Sequence, residues 1–175
     1  AFGFFNLDDD DLLSIDYFKD ASSYINNDRV GYYISFGRGG TGYFDFSKKV
    51  LESARYCYSP KINIGLMAIS SFDGKNFYIP KRGSHTLVDQ VSPLILDSRS
   101  IKFFWIRSLF QDTGLTKDNE EARIRKARNS LRRYKRDMGE DIIATSFPTL
   151  SFNKKTIRLR NLMRRCKAYL NQFRV

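Results

Sequence analysis

Apolar and polar residues follow strand spacing in much of the first 80 residues. They alternate over residues 30–36, which is the period of a half-buried strand. Short apolar runs at 2–7, 43–46 and 62–69 predict further strands. The dipeptide Asp73-Gly74 between two such runs predicts a tight hairpin.

Helical spacing lies between these predicted strands. The four aspartates at 8–11 are expected to begin a helix over 12–25, because the helix dipole stabilises carboxylates there. A metal site is the alternative, but four consecutive helical residues cannot all point at one ion. Ser47 is expected to cap a second helix over 48–57. The predicted order over residues 1–80 is β-α-β-β-α-β with an extra hairpin strand, a ferredoxin-like α+β fold.

Residues 118–139 predict the best defined helix in the chain. Asp118 and Glu121 form a capping box, and Gly139 stands where a C-terminal cap belongs. Apolar residues recur there at steps of three and four, which predicts one side facing the core: Ile124, Ala127, Leu131, Tyr134 and Met138. A second amphipathic helix is predicted over residues 154–174.

The remaining faces of both predicted helices are cationic. In the first helix the cations are Arg123, Arg125, Lys126, Arg128, Arg132, Arg133, Lys135 and Arg136. In the second they include Lys154, Lys155, Arg158, Arg160, Arg164 and Arg165. We predict that the two helices pack together and present one continuous cationic surface.

The net charge of +11 is concentrated in the second part of the chain. Residues 122–175 hold 16 Lys and Arg against three acidic residues, whereas residues 1–121 hold 14 against 16. Such asymmetry points to an anionic partner, with RNA or another nucleic acid first and an anionic membrane or acidic protein as alternatives. Arginine predominates in the 118–139 helix, and arginine suits bidentate phosphate contacts. A merely solvated face is the other interpretation.

Several kinds of site are disfavoured by composition. Cys57 and Cys166 form no metal-binding motif, and His85 is the sole histidine, so we predict free thiols, no metal and no cofactor. Reduced thiols favour an intracellular location, or a virion. No apolar run has the length of a membrane span. The N-terminus lacks the basic region of a secretory signal and an initiator Met, so we expect a processed chain or a fragment.

The glycine-rich stretch at residues 37–42, GRGGTG, matches a dinucleotide-binding fingerprint. The fingerprint requires a helix to begin at the motif, yet residues 43–46 alternate like a strand. A hairpin turn is the alternative, as is a loop whose amides and Arg38 contact phosphates.

From Gly39 onward, the stretch GGTGYFDF is similar to the RNP1 motif of RNA-recognition-motif domains. The matching residues are Gly40, Gly42, Tyr43, Phe44 and Phe46, with the basic residue at Arg38. Residues 2–7 resemble RNP2, and residues 72–82 resemble the last hairpin and strand of such domains. The resemblance implies an open sheet face on which Tyr33 and Tyr43 stack RNA bases. It places Ile34, Phe44 and Phe46 in the core.

Three segments and three functional hypotheses follow. The segments are an RNA-recognition-like unit at 1–82, a connecting segment at 83–115 and a basic helical region at 116–175. A helix capped at Asp97 or Ser98 and ending near Gly114 is expected in the connecting segment. Its aromatic residues, within 101–110, are expected to bury against either the sheet or a protein partner.

The first hypothesis is a non-enzymatic RNA-binding structural protein of a ribonucleoprotein or virion. A nuclease or RNA-processing enzyme using residues 8–11, Asp73 or His85 is the second. A matrix-type scaffold on an anionic membrane is the third.

Overall fold

Two β-sheets form the framework of the protein. The computed structural model describes residues 1–8, 11–81, 83–108 and 120–150. In chain order the strands are β1 (Phe2–Phe5), β2 (Leu12–Leu13), β3 (Tyr33–Phe36), β4 (Arg38–Asp45), β5 (Val50–Tyr58), β6 (Met67–Phe72), β7 (Phe77–Tyr78), β8 (Leu94–Asp97) and β9 (Phe103–Arg107). The α-helices are α1 (Tyr17–Ser22), α2 (Val88–Val91), α3 (Glu120–Ser130) and α4 (Glu140–Ser146).

Sheet A has the order β1-β6-β3-β8, with β7 paired to β6, and sheet B has the order β2-β9-β4-β5. β8 is parallel to β3, and β9 is parallel to β4. The other strand pairs are antiparallel. The chain therefore passes from sheet A into sheet B twice, from β3 to β4 and from β8 to β9, and these two passages lie side by side.

Gly37 is the residue at which the chain passes from β3 to β4. Its amide donates to the carbonyl of Asp97 over 2.9 Å. A Cβ atom at this position would lie 2.6 Å from Ser98 Oγ and 3.0 Å from Leu96 Cδ1. Glycine is required here because the neighbouring strand approaches too closely for a side chain.

Helix α1 packs on one side of sheet A. The buried residues of this core are Tyr17, Ala21, Ile34, Phe36, Met67 and Ile69. The Tyr17 hydroxyl donates to the carbonyl of Gly65 over 2.6 Å, so the polar end of this ring is satisfied inside the core.

Sheet B is covered on both faces. Successive residues of a strand point to opposite sides, so each strand contributes to both cores. We call the side of Phe104 the α4 face. Its buried residues are Leu51, Ala54, Phe104, Ile106, Met138, Ile143, Phe147 and Leu150. We call the side of Phe103 the α3 face, where Phe103 packs with Cys57, Ile62 and Ile64, and Tyr134 packs against them.

Lys102 connects the two sheets. Its side chain is fully buried just before β9, and its Nζ lies 2.6 Å from a carboxylate oxygen of both Asp16 and Asp20. Burial acts to lower the pKa of Lys102, but hydrogen bonds to these two carboxylates outweigh it and raise the pKa. Burying this charge is therefore compensated by partners at the start of α1.

The α+β class is confirmed, but the ferredoxin-like order is not. The helix predicted over 48–57 is wrong, since these residues form the long strand β5. Residues 38–42 belong to β4 rather than to a turn. The first helix begins at Tyr17 and not at the aspartates. In each case pairing with a neighbouring strand outweighs the local pattern.

The segment after residue 83 also differs from expectation. The helix predicted from residue 97 or 98 to near 114 is wrong in its described part, because residues 103–107 are β9, paired with β4. Strands β8 and β9 belong to the same two sheets as the strands before residue 82. Apolar spacing in this stretch reflects a strand buried on both faces.

The main basic helix is shorter than predicted. Asp118 lies outside the described residues, and α3 ends at Ser130, followed by a 3₁₀ turn at Leu131–Arg133. Beyond it the chain runs extended beside β5, where Tyr56 donates its amide to Arg136 and Met138 donates to Ala54. Gly139 precedes α4 instead of ending the helix. Residues 154–174 lie outside the described part of the chain.

Candidate nucleic-acid interface

Helix α3 is attached to sheet B by a charged contact. Arg128 donates to both carboxylate oxygens of Glu52, with the shortest contact at 2.7 Å. The Arg128 guanidinium also lies 4.9 Å from the centre of the Tyr43 ring. Glu52 stands where the β4–β5 register shifts at Tyr43 and Phe44, and such a bulge redirects side chains. Arg128 therefore contacts sheet B from the helix through both Glu52 and Tyr43.

Apolar contact continues this attachment into the 3₁₀ turn. Leu131 and Met138, two members of the predicted stripe, are buried. Ile124, Ala127 and Tyr134 are partly buried. The prediction that this stripe faces the core is therefore confirmed for Leu131 and Met138 only, and both residues lie beyond the end of α3.

The outward side of α3 and the turn carries exposed cations. Arg125, Lys126, Arg132 and Lys135 are all exposed. Within the ranges that the structure describes, none of these four has a carboxylate within ion-pair distance. Their charges are thus accessible to an external polyanion. Arg123 is partly buried.

Two further arginines of this region lie on tyrosine rings. The Arg133 guanidinium is 4.8 Å from the ring centre of Tyr134, and that of Arg136 is 4.6 Å from the ring centre of Tyr56. Stacking orients a guanidinium without using its N–H donors. Both residues are exposed, so these donors can face an anion.

Arg38 is not part of this group of cations. It is exposed at the first position of β4, and its Nη1 donates to the carbonyl of Arg99 over 3.4 Å. Tyr43 is five residues further along the same strand, a distance of about 17 Å at the rise of a strand. The cations predicted at 154–165 lie outside the described residues.

The predicted base-stacking face is wrong. Tyr33 and Tyr43 are each only 3% exposed, because both faces of each sheet are covered where these rings lie. Tyr33 is in sheet A and Tyr43 is in sheet B. The RNP2-like β1 and the RNP1-like β4 are likewise in different sheets. Phe46, expected in the core, is exposed.

The aromatic segment at 101–110 is placed in the interior. Phe103 and Phe104 are both 0% exposed, since β9 is an inner strand of sheet B with helices or loops on both sides. The docking helix predicted there is wrong, and these two rings do not form an exposed contact surface.

The residues of the nuclease hypothesis occupy separate elements. Asp11 is buried and accepts the Ile106 amide over 3.2 Å. Asp73 accepts the amides of Lys75 and Asn76 in the hairpin turn, and these hydrogen bonds lower its pKa. His85 begins a 3₁₀ turn. Among the described residues, no three His, Cys, Asp or Glu side chains form a group able to hold a metal ion.

The predicted hairpin at Asp73-Gly74 is confirmed by the antiparallel pairing of β6 with β7. The glycine-rich stretch, by contrast, is regular strand from Arg38 to Asp45. It forms no loop of converging amides, so neither the dinucleotide nor the phosphate-loop interpretation applies.

Sequence analysis missed Arg107 and Trp105, which both lie on the α3 face. The sequence signal that could have placed them on one face of a strand is the period-two spacing of Phe103, Trp105 and Arg107. It was obscured because the aromatic density of this stretch favoured a helix.

Comparison of the chain with models of protein families, with curated proteins and with solved structures finds no match in any of the three. No helix in the described ranges has the length and apolar character to cross a membrane.

Proposed function

We propose that this protein binds RNA, or another nucleic acid, without catalysing a reaction, as a structural component of a ribonucleoprotein or virion. The observation that carries this proposal is the group of exposed cations at Arg125, Lys126, Arg132 and Lys135. Arg125 and Lys126 lie on α3, and Arg132 and Lys135 lie in and just after the 3₁₀ turn that follows it. This region contacts sheet B through Arg128 and buries Leu131.

The physical basis is release of counterions from the nucleic acid. Each lysine or arginine that contacts a phosphate releases bound cations, so affinity falls steeply as salt rises. Contacts of this type fix a protein on the backbone and carry little sequence information. Because α3 is held against a sheet, its cations are positioned before binding, which reduces the entropy lost on association.

The test is a salt titration of RNA binding by fluorescence anisotropy. The variant is the triple charge reversal Arg125→Glu, Lys126→Glu and Arg132→Glu. The matched control is Lys19→Glu, Lys75→Glu and Lys81→Glu, which changes the net charge equally at exposed positions in α1, in the β6–β7 turn and after β7. We expect the first variant to lose at least about tenfold in affinity and about two units of the log–log salt slope, from loss of about three phosphate contacts.

Equal losses in both triple variants would contradict the proposal, since the effect would then reflect net charge alone. The same RNA is recovered after incubation with and without Mg²⁺. Intact RNA is expected, and metal-dependent cleavage would favour the enzyme alternative. Preferential binding to anionic vesicles over RNA would favour the scaffold alternative.

A further inference from the structure

The α3 face of sheet B contains a buried arginine that makes no ion pair with any residue that the structure describes. Arg107 ends β9, pairs in register with Tyr43, and is only 8% exposed. Its guanidinium carbon lies 3.4 Å from the ring centre of Trp105. Its Nε is buried and donates to no acceptor in the part of the protein that the structure describes. A buried donor on a charged group is costly when it has no partner.

A second guanidinium approaches the same place from the 3₁₀ turn. Arg133 stacks on Tyr134, and Tyr134 packs beside Cys57, Phe103 and Trp105. Burial lowers the pKa of Arg107, the charge of Arg133 lowers it further, and a hydrogen bond with Tyr134 opposes both. The Tyr134 side chain therefore lies between two like charges that repel each other.

Cys57 also lies within the influence of both arginines. Burial raises the pKa of its thiol to about 12, while the charges of Arg107 and Arg133 both act to lower it. Both guanidiniums are thus close enough to Cys57 to influence it. Two arginines around one tyrosine and one cysteine make a concentrated positive field.

The carboxylates of this face are engaged elsewhere. Asp11 acts favourably on Arg107, but it accepts the Ile106 amide. Glu52 is bound by Arg128, and Asp137 is bound by Arg55. Within the described ranges, neither Arg107 nor Arg133 forms an ion pair.

We propose that Arg107, Arg133 and the Tyr134 hydroxyl form a binding site for a phosphate group. A phosphate offers several acceptor oxygens and suits the forked donors of two guanidiniums. It would enter from the exposed side of Arg133, beside the cations of α3. The phosphate belongs either to a nucleic-acid backbone, an assignment that rests on the proposed function, or to a free phosphate ion.

The single tryptophan makes this site directly observable. Trp105 is the chain's only tryptophan. Because Arg107 lies on the Trp105 ring, the fluorescence emission of Trp105 reports on the site. Inorganic phosphate is titrated at constant ionic strength maintained with chloride. We expect a saturable change in Trp105 emission, weakened at least about tenfold by Arg133→Gln and abolished by Arg107→Gln.

Arg38→Gln is the matched control, because it removes an exposed guanidinium at the first position of β4, apart from the cations of α3, that contacts no ring among the described residues. It should bind phosphate as the unmodified protein does. Arg133 is exposed, so its variant keeps the test decisive if Arg107→Gln does not fold. An absent or non-saturating response, or equal weakening by Arg38→Gln and Arg133→Gln, would overturn the proposal.

A second titration separates this proposal from the proposed function. A short RNA is added while anisotropy and Trp105 emission are recorded together. Competition between RNA and phosphate supports a backbone phosphate at the site. Saturable phosphate binding with no RNA binding supports a site for free phosphate and contradicts the proposed function. Salt-dependent RNA binding with no effect of either phosphate or RNA on Trp105 overturns the site and leaves the proposed function standing.

Discussion

The two faces of sheet B are made from the same strands but differ in chemistry. Toward α4, Gly42 and Phe104 meet Leu51 and Ile143 in a core of apolar side chains. Toward α3, the next residue of each strand, Tyr43 and Trp105, lies under an arginine. Period-two alternation thus separates a face that stabilises the fold by apolar burial from a face that concentrates positive charge.

The difference shows how a charged helix can be held without an extensive apolar interface. Within Glu120–Ser130 no residue of α3 is fully buried. Attachment relies on Arg128, on Leu131 in the following turn, and on the extended segment beside β5. The α3 face is therefore expected to open more readily than the α4 face, because it buries less apolar area.

Gly42→Val on the α4 face is expected to have the largest effect. A Cβ atom here would collide with the Ser53 carbonyl oxygen and lie 2.8 Å from Leu51 Cδ1. Such overpacking against backbone should lower the free energy of unfolding by about 3 kcal/mol or more, measured by urea denaturation. Gly83→Val is the control, since a Cβ there meets no atom within 4 Å. Equal costs at both positions would mean that crowding at the α4 face is not the cause.

Ile143→Ala and Leu131→Ala compare the two faces directly. Ile143 is fully buried on α4 and Leu131 is buried beside α3. Truncating Ile143 should lower the global free energy of unfolding by about 2–4 kcal/mol. Truncating Leu131 should mainly favour local opening of α3.

Cys57 reports this local opening through its rate of alkylation at pH 8, followed by peptide mass spectrometry, which distinguishes it from Cys166. In the closed state burial keeps its pKa near 12, so the thiol is neutral and unreactive. Leu131→Ala should accelerate the reaction more than its loss of global stability explains. The alkylation rates of the two variants are compared at equal global free energy of unfolding, set with urea. If Ile143→Ala then accelerates alkylation of Cys57 as much as Leu131→Ala does, the two faces open together.

Glu52→Gln is expected to have the smallest effect on stability. It removes one charge of the Glu52–Arg128 pair, whose arginine remains 46% exposed. A solvent-screened pair of this kind contributes about 0–1 kcal/mol, so urea denaturation should change little. RNA affinity should stay the same or rise slightly, because Arg128 gains freedom to contact phosphate. A loss of several kcal/mol would show that charge, and not Leu131, fixes α3.

The sequence predicted the short strands and the first part of the cationic helix, because each depends on local spacing. β1, part of β3, the β6–β7 hairpin and α3 all lie where the alternation or the helical spacing indicates. The α+β class followed from the same patterns. These features need no knowledge of distant partners.

β5 and β9 were mistaken for helices because both of their faces are buried. Residues 50–58 place Ala54 on one side and Cys57 on the other, which removes the alternation that identifies a half-exposed strand. Only their pairing with β4 explains the conformation, and pairing depends on residues far away in sequence. The proximity of Arg107 to Arg133 and Tyr134 could not be predicted for the same reason, since it depends on the pairing of β9 with β4.

The extended segment at 136–138 has a consequence for how copies of the protein behave in solution. β5 is the last regular strand on its side of sheet B, and such an edge invites pairing with another molecule. Met138 and Arg136 occupy its hydrogen-bonding groups at Ala54 and Tyr56, and Arg55 bridges to Asp137. This segment thereby protects a concentrated solution of the protein from edge-to-edge self-association, whichever ligand the neighbouring helix carries.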